Sequence, residues 1–435
     1  MAAALEMAEL EVVLHSALRK ARRRIIPLLA VCYFAAYMDR VNISFAAESM
    51  NRDLHFSAKI YGLGAGLFFL SYALCEIPSN RLLLRFGARR WIARIMLTWG
   101  LLAGAMVFVH SVKSFYGMRL LLGVAEAGFF PGAIYYLSQW FPARERARAT
   151  GLFYIAFPLS NVVMGPLAGQ LLKLGGRLGM SGWQWLFLVE ALPAIVMSAV
   201  VWFALPDGPA SASWLSAEEC CAIEAELDKE PARQHAAAHG EGMRQALRSR
   251  YVWLFGAFYF CALGSYYAMI FSLPTLLHET TGWSTQNVGA LIACFGAIGG
   301  LAMIWGAVHS DRSGERRWHI ALPMLTMAAG ILGAGLFGNR WLVVASLLLA
   351  TTSYYAAQGP MLSAPMLVFA GEAAAIGFAA INMCGISGGF VGPYWMGWIH
   401  DTAGGYAWGL RLLVLPGILA AFLMLRLLRP NERHI

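Results

Sequence analysis

Long apolar runs, recurring from end to end with short polar breaks between them, constrain this chain more than any other feature. A run of 18 or more apolar residues is long enough to cross a bilayer as a helix. In hydrocarbon, only helices and closed barrels satisfy their own backbone hydrogen bonds. Twelve runs fall at about 25–46, 58–80, 91–110, 115–137, 149–173, 184–204, 252–273, 286–309, 319–338, 341–363, 374–398 and 406–427. Composition agrees, with 59% of the residues hydrophobic and 13% charged. Soluble domains lie nearer roughly 45–50% apolar and 25% charged. The expected fold is an all-α membrane protein of twelve transmembrane helices in two six-helix halves.

The halves follow from the one long polar interruption, 205–250, which splits the chain into 1–204 and 251–435. This linker opens with Pro206-Asp207-Gly208-Pro209, and Ser216 followed by Glu218 and Glu219 predicts a helix start. An internal repeat supports the division. Arg85-Phe-Gly87-Ala-Arg89-Arg90-Trp91 matches Arg312-Ser-Gly314-Glu-Arg316-Arg317-Trp318, and Gly165-Pro166 matches Gly392-Pro393, both at an offset of 227 residues. Orientation follows from the basic residues. With both termini inside, the inner segments and the adjoining helix ends hold 24 Lys and Arg against 6 in the outer loops and their adjoining helix ends, as the positive-inside rule requires of cytoplasmic termini. The reading is a multi-pass protein of the cell (inner) membrane, with no cleavable leader expected.

The net charge of +9 is explained by that orientation. A nucleic-acid partner is not expected, since a basic stripe for one needs a soluble face. The seven cysteines lack metal spacing, and neither a metal nor a cofactor is expected.

Ionisable residues inside spans point to function, because a charge at the centre of a membrane helix costs on the order of 2.5–3.5 kcal/mol on insertion scales. Span 1 carries Asp39 and Arg40, and span 4 carries Arg119 and Glu126. The latter two are seven residues apart and share one helix face. Adjacent Asp39 and Arg40 point roughly 100° apart and serve different neighbours. A polar cavity between helices fits this pattern; paired charges that only fix helix packing fit it as well. Guanidinium suits a carboxylate through its two-pronged fork, and a carboxyl moving between environments suits proton carriage. The second half offers instead Tyr266, Tyr267, Tyr354, Tyr355, Gln358 and Asn382, compatible with hydrogen-bond recognition or with packing. Glycines and prolines in spans 2, 4, 5 and 11 fit either sliding contacts or static close packing.

The basic loops Arg85-x-Gly87-x-Arg89-Arg90 and Asp311-Arg312-x-Gly314-x-Arg316-Arg317 resemble the signature loop of the major facilitator superfamily. Tyr37-Met-Asp39-Arg40-Val-Asn42, Glu76-Ile-Pro-Ser-Asn80, Glu126-Ala-Gly-Phe-Phe-Pro-Gly132, Trp214-Leu-Ser-Ala-Glu-Glu219 and Gly388-Gly-Phe-Val-Gly-Pro393 are similar to its organic anion:cation symporter branch. That resemblance implies a carrier of small carboxylates, with protons as partner and no enzymatic activity. It implies Asp39 and Glu126 as proton-coupling acids, and Arg40 and Arg119 as arginines for substrate binding and coupling. Tyr37, Tyr72 and Asn382 follow as cavity residues, and the two basic loops as the inner gate. A monomer in the lipid bilayer is expected. The first loop departs from the pattern, with Leu84 in place of an acid and Asn80 in place of a glycine, which implies a weakened charge clasp there. Proton-coupled import is the first reading. An exchanger or sodium-linked carrier of the same fold is a second, and a transporter-like membrane sensor a third.

Overall fold

A computed structural model of the protein describes residues 2–229, 248–367 and 372–428. Within the linker reading, 230–247 lie outside the described residues. The first half is α1 (Ala2–Leu54), α2 (Ala58–Phe86), α3 (Ala88–Ala105), α4 (Val112–Glu126) with α5 (Phe129–Ser138), α6 (Ala143–Tyr154) with α7 (Ala156–Leu171), and α8 (Gly182–Ala204). A short helix, α9 (Ala217–Asp228), stands between the halves in sequence. The second half is α10 (Arg250–Thr281), α11 (Thr285–Ser313), α12 (Arg317–Leu336), α13 (Arg340–Ser363), α14 (Glu372–Ala403) and α15 (Ala407–Leu427). With α4–α5 and α6–α7 each taken as one path, these make twelve crossings, and every predicted run falls on one of them. Among the described residues, ten are long and apolar enough to span a membrane by length and composition alone.

Two features go beyond the run boundaries. Spans 4 and 5 are not continuous helices. The first breaks at Ala127–Gly128, and the second bends at Ile155, three residues before Pro158; a proline cannot donate to the carbonyl four residues back. The basic N-terminal stretch, moreover, is an extension of the first spanning helix.

An even number of crossings puts both termini on one face, called here the termini face. The far face is closed by contacts between halves. α2 runs along α14 and α7 along α11. A Cβ built on Gly165 of α7 would overlap the Gly289 carbonyl oxygen of α11, and the reverse holds for Gly289. Small residues are what allow membrane helices to approach this closely. At the rim, Asp401 accepts hydrogen bonds from the backbone N–H groups of Ala58 and Lys59 at 3.2 and 2.9 Å. An acid from one half thus caps a helix of the other. Nearby, Lys173 bonds Gln286, and His278 lies 3.6 Å from Glu48.

The termini face is organised around the linker. Ser216 caps α9 by accepting from the Glu219 N–H, while the Glu219 side chain takes the Ser216 N–H, a capping box. The same carboxyl accepts from Ser16 and Lys20 of α1, both at 2.8 Å. Trp214 stacks on Trp140 at 5.4 Å, under the Arg24 guanidinium. The two repeat-related loops share a backbone feature, since Gly87 and Gly314 have φ of +85° and +65°, a region that glycine enters without steric cost. In the first loop Arg89 pairs with Asp207 at 3.0 Å, so the linker supplies the acid that Leu84 does not. In the second, Asp311 pairs with Arg316 at 2.7 Å. Arg85 and Arg317 lie over the rings of Phe86 and Trp318, and Arg90 and Arg312 are exposed.

Two outcomes follow from this packing. Gly165→Leu should wedge the far face apart. In a background cleared of the seven native cysteines, spin labels at Lys173→Cys and Gln286→Cys should then report a longer distance than with Gly165 intact. At the other face, burial pushes the Glu219 carboxyl up, but the bonds from Lys20, Ser216 and Ser16 outweigh it and hold the group below its ordinary value. A lowered carboxyl contributes stability above the unfolded value of about 4.3, lost as pH falls through the folded one. Hydrogen exchange in 217–228 should therefore be slow at neutral pH and rise below about pH 4, and Glu219→Gln should already show the fast exchange at pH 7.

Candidate functional site

The break between α4 and α5 positions the site. Glu126 is the last residue of α4; Gly128, at φ +88°, turns the chain in the left-handed region before α5 begins. A Cβ on Gly128 would overlap the Ser79 hydroxyl, which donates to the freed Ala127 carbonyl at 2.6 Å and accepts from the Trp91 indole at 3.0 Å. Irregular backbone at membrane depth persists only where protein groups satisfy it, and Ser79 does so here.

At that break the Glu126 carboxyl forms an ion pair with Arg40 of α1. Glu126 is fully buried, and its second oxygen Oε2 has no partner; Arg40 Nε is likewise buried without an acceptor. The Arg40 guanidinium lies 5.2, 5.5 and 5.4 Å from the ring centroids of Tyr37, Phe68 and Tyr72. Cation–π contact of this kind contributes about 0.5–2 kcal/mol. Tyr37 meets the other half directly, with its hydroxyl 3.4 Å from that of Tyr267.

Asp39, next in sequence, faces the interior of its own half. Its two carboxyl oxygens accept from the Trp99 indole at 2.7 Å and the Asn42 amide at 3.1 Å. Arg119, 2% exposed, donates to the Gly64 and Ala65 carbonyls of α2 at 3.3 and 3.5 Å and lies 4.8 Å from the Phe68 ring. Asp39 and Arg119 thus form a layer behind the Arg40–Glu126 pair, which itself borders the other half.

Most of the residues named in the second half meet the first. Gln358 accepts from the Tyr154 hydroxyl at 3.2 Å. Tyr266 stacks on Tyr354 with centroids 3.9 Å apart and planes at 9°, and Tyr267 packs on Phe69 at 4.3 Å. Asn382 donates to Glu76 of α2 at 2.7 Å, and the other Glu76 oxygen is buried without a partner. Glu76 and a further acid, Glu190 of α8, are each 3% exposed and were missed as site candidates. The signal was present: each is an acid inside an apolar run. A tyrosine-rich seam, with Phe157 between Tyr37 and Tyr355 at 4.4 and 4.8 Å, joins the halves beside the charges.

Residues 29–393 match the family described as the Major Facilitator Superfamily. A protein of Agrobacterium vitis named "Putative tartrate transporter" is 43% identical, the match covering 96% of this chain and 92% of the relative. A Pseudomonas putida protein named "Putative metabolite transport protein NicT" is 40% identical over 93% of this chain and 92% of its own length. Among solved structures, a bacterial homolog of the human lysosomal transporter Spinster, inward-facing and unoccupied, superposes with a TM-score of 0.75 at 18% identity, covering 93% of this chain and 96% of that one. The sequence relatives, the matched family and the twelve-crossing fold agree: the chain belongs to the Major Facilitator Superfamily, on the branch of these tartrate- and metabolite-transporter relatives.

Proposed function

We propose that the protein imports a small organic carboxylate together with protons, by alternating exposure of a site centred on Arg40 and Glu126. The single observation that carries this reading is the half-satisfied state of that pair. Arg40 Nε is buried without an acceptor, and Glu126 Oε2 is buried without a donor. The pair is neutral as it stands. A proton on Glu126 would leave the Arg40 charge uncompensated in a buried place, which is costly. A substrate carboxylate restores neutrality and can use the fork of the guanidinium. Proton and anion therefore enter together or not at all, which is the requirement for symport. Tyr37, Tyr72 and Tyr267 would line the anion, with Tyr266, Gln358 and Asn382 contributing from the second half. Asp39, backed by Arg119, would carry a second proton-linked charge.

The tartrate-transporter name of a close relative supports a hydroxylated carboxylate as cargo. The excess of basic residues on the termini face supports cytoplasmic termini in the cell membrane. The far face, closed by Asp401 and the Gly165–Gly289 contact, would then be the outer one, and the paired loops at Arg89 and Arg316 the inner gate. An anion entering a cell negative inside must be driven, at about 2.3 kcal/mol per charge per 100 mV, and co-moving protons supply that drive.

Uptake of tartrate into proteoliposomes tests the reading. An inward proton gradient should accelerate it, and an inward sodium gradient should not; the reverse result would favour the sodium-linked alternative. Glu126→Gln and Asp39→Asn should lose gradient-driven accumulation, with tartrate exchange retained in at least one. Arg40→Lys keeps the charge but loses the fork. Since a charge-assisted hydrogen bond contributes about 1.5–3 kcal/mol, tartrate affinity should fall by about tenfold to a hundredfold, as read by titration calorimetry. Normal concentrative uptake by all three variants would refute the assignment.

A further inference from the structure

We propose that Glu190 of α8 is a proton-storing carboxyl linked to Asp39 through the Asn42 side chain, an inference that rests on the proton-coupled reading above. Glu190 lies near the middle of α8, 3% exposed, and neither of its carboxyl oxygens has a hydrogen-bond partner. Asn42 lies alongside it. The Asn42 amide is turned so that its Nδ2 donates to Asp39, which leaves its Oδ1 buried and unpaired. Glu190 Oε1, Glu190 Oε2 and Asn42 Oδ1 are thus three buried oxygens without donors on neighbouring side chains of α8 and α1.

One proton resolves the deficit. An ionised carboxyl without a donor in such a place costs several kcal/mol. A neutral Glu190 instead donates its O–H to Asn42 Oδ1, and Asn42 Nδ2 stays aimed at Asp39. Arg119 acts on Asp39 from α4 while donating to the Gly64 and Ala65 carbonyls, and among the described residues no cation pairs with Glu190. Asp39 acts on Glu190 electrostatically from α1, while Arg40 turns to Glu126. Of the arginines on α3, Arg89 is bonded to Asp207 and Arg94 lies over Trp91, and Arg90 is exposed. Glu190 is the one ionisable side chain of α8, and α7 has none. Lys173, just beyond α7, is bonded to Gln286. Glu190 and Asp39 are thus two acids joined by one amide, and a negative charge on both at once is disfavoured. A proton leaving Glu190 makes its carboxylate compete for the amide that holds Asp39, so the pair takes up and releases protons as a unit.

The test uses the full-length protein in lipid. The carboxyl C=O band of protonated acids is recorded by infrared spectroscopy, and tartrate uptake is measured against external pH under a fixed inward proton gradient. Glu190→Gln, which preserves shape, should lose one protonated-carboxyl band and shift the pH midpoint of uptake by about one unit or more. Glu190→Asp, which keeps the acid, should retain a band at altered frequency and bring the midpoint back toward that of the natural protein; it also serves if Glu190→Gln does not assemble. An unshifted midpoint in Glu190→Gln would overturn the proposal whether or not the band disappears, because an acid used only for packing would not set the pH profile. If uptake by the unaltered protein ignores the proton gradient, the coupling reading itself falls. If uptake responds to the gradient and only the Glu190 variants behave as the natural protein does, this inference alone falls.

Discussion

Charge inside a bilayer must be cancelled where it stands, and in this protein the Arg40–Glu126 ion pair meets that constraint between α1 and α4. It fixes α1 against α4, and it sits where α4 stops being a helix. The interruption is part of the same solution. A continuous helix would keep the Ala127 carbonyl in its ladder, whereas the turn at Gly128 hands that carbonyl to Ser79 and ends α4 at Glu126. Ion pair and broken helix together make a buried spot with an unfilled donor and an unfilled acceptor. Such a spot is poor packing, and it leaves hydrogen-bonding capacity unused at the centre of the first half.

The two halves are held together by different chemistry at different depths. Toward the far face, glycines let backbones touch and a carboxylate caps a foreign helix. In the middle, tyrosines and phenylalanines stack across the seam, each favourable pair contributing about 0.5–1.5 kcal/mol beyond its buried area. Toward the termini face, the Glu76–Asn382 bond and the Tyr154–Gln358 bond join the halves. The linker helix α9 rides with the first half through Glu219, Trp214 and Asp207.

The crossings were legible because each needs a long apolar run, and such a run tolerates little else. The helix start at Ser216 was legible because capping is a local matter of three residues. The break at Gly128 was not read, although Gly128 and Pro131 stood in the quoted motif, because glycine and proline occur in unbroken membrane helices too. The Arg89–Asp207 pair could not be read, since 117 residues of intervening sequence say nothing of proximity. The four charges of α1 and α4 were visible, but not their division. Spacing placed Arg119 and Glu126 on one face, and folding then gave Glu126 to Arg40 and Arg119 to the carbonyls of α2. Glu190 was passed over because it is a lone acid in an otherwise apolar run, with no second charge in its span to draw attention.

Asp401 holds the start of α2 at an exposed rim, by bonds to two backbone N–H groups. When that contact parts, water can take over both ends of the bond almost without loss, because Ser57 still caps the helix from its own strand of chain. A fastening of this sort fixes direction and register but stores little energy. The far rim is therefore a latch that thermal motion can lift, and the resistance to opening resides deeper, among stacked rings and touching glycine backbones that have no solvent to replace what they give up.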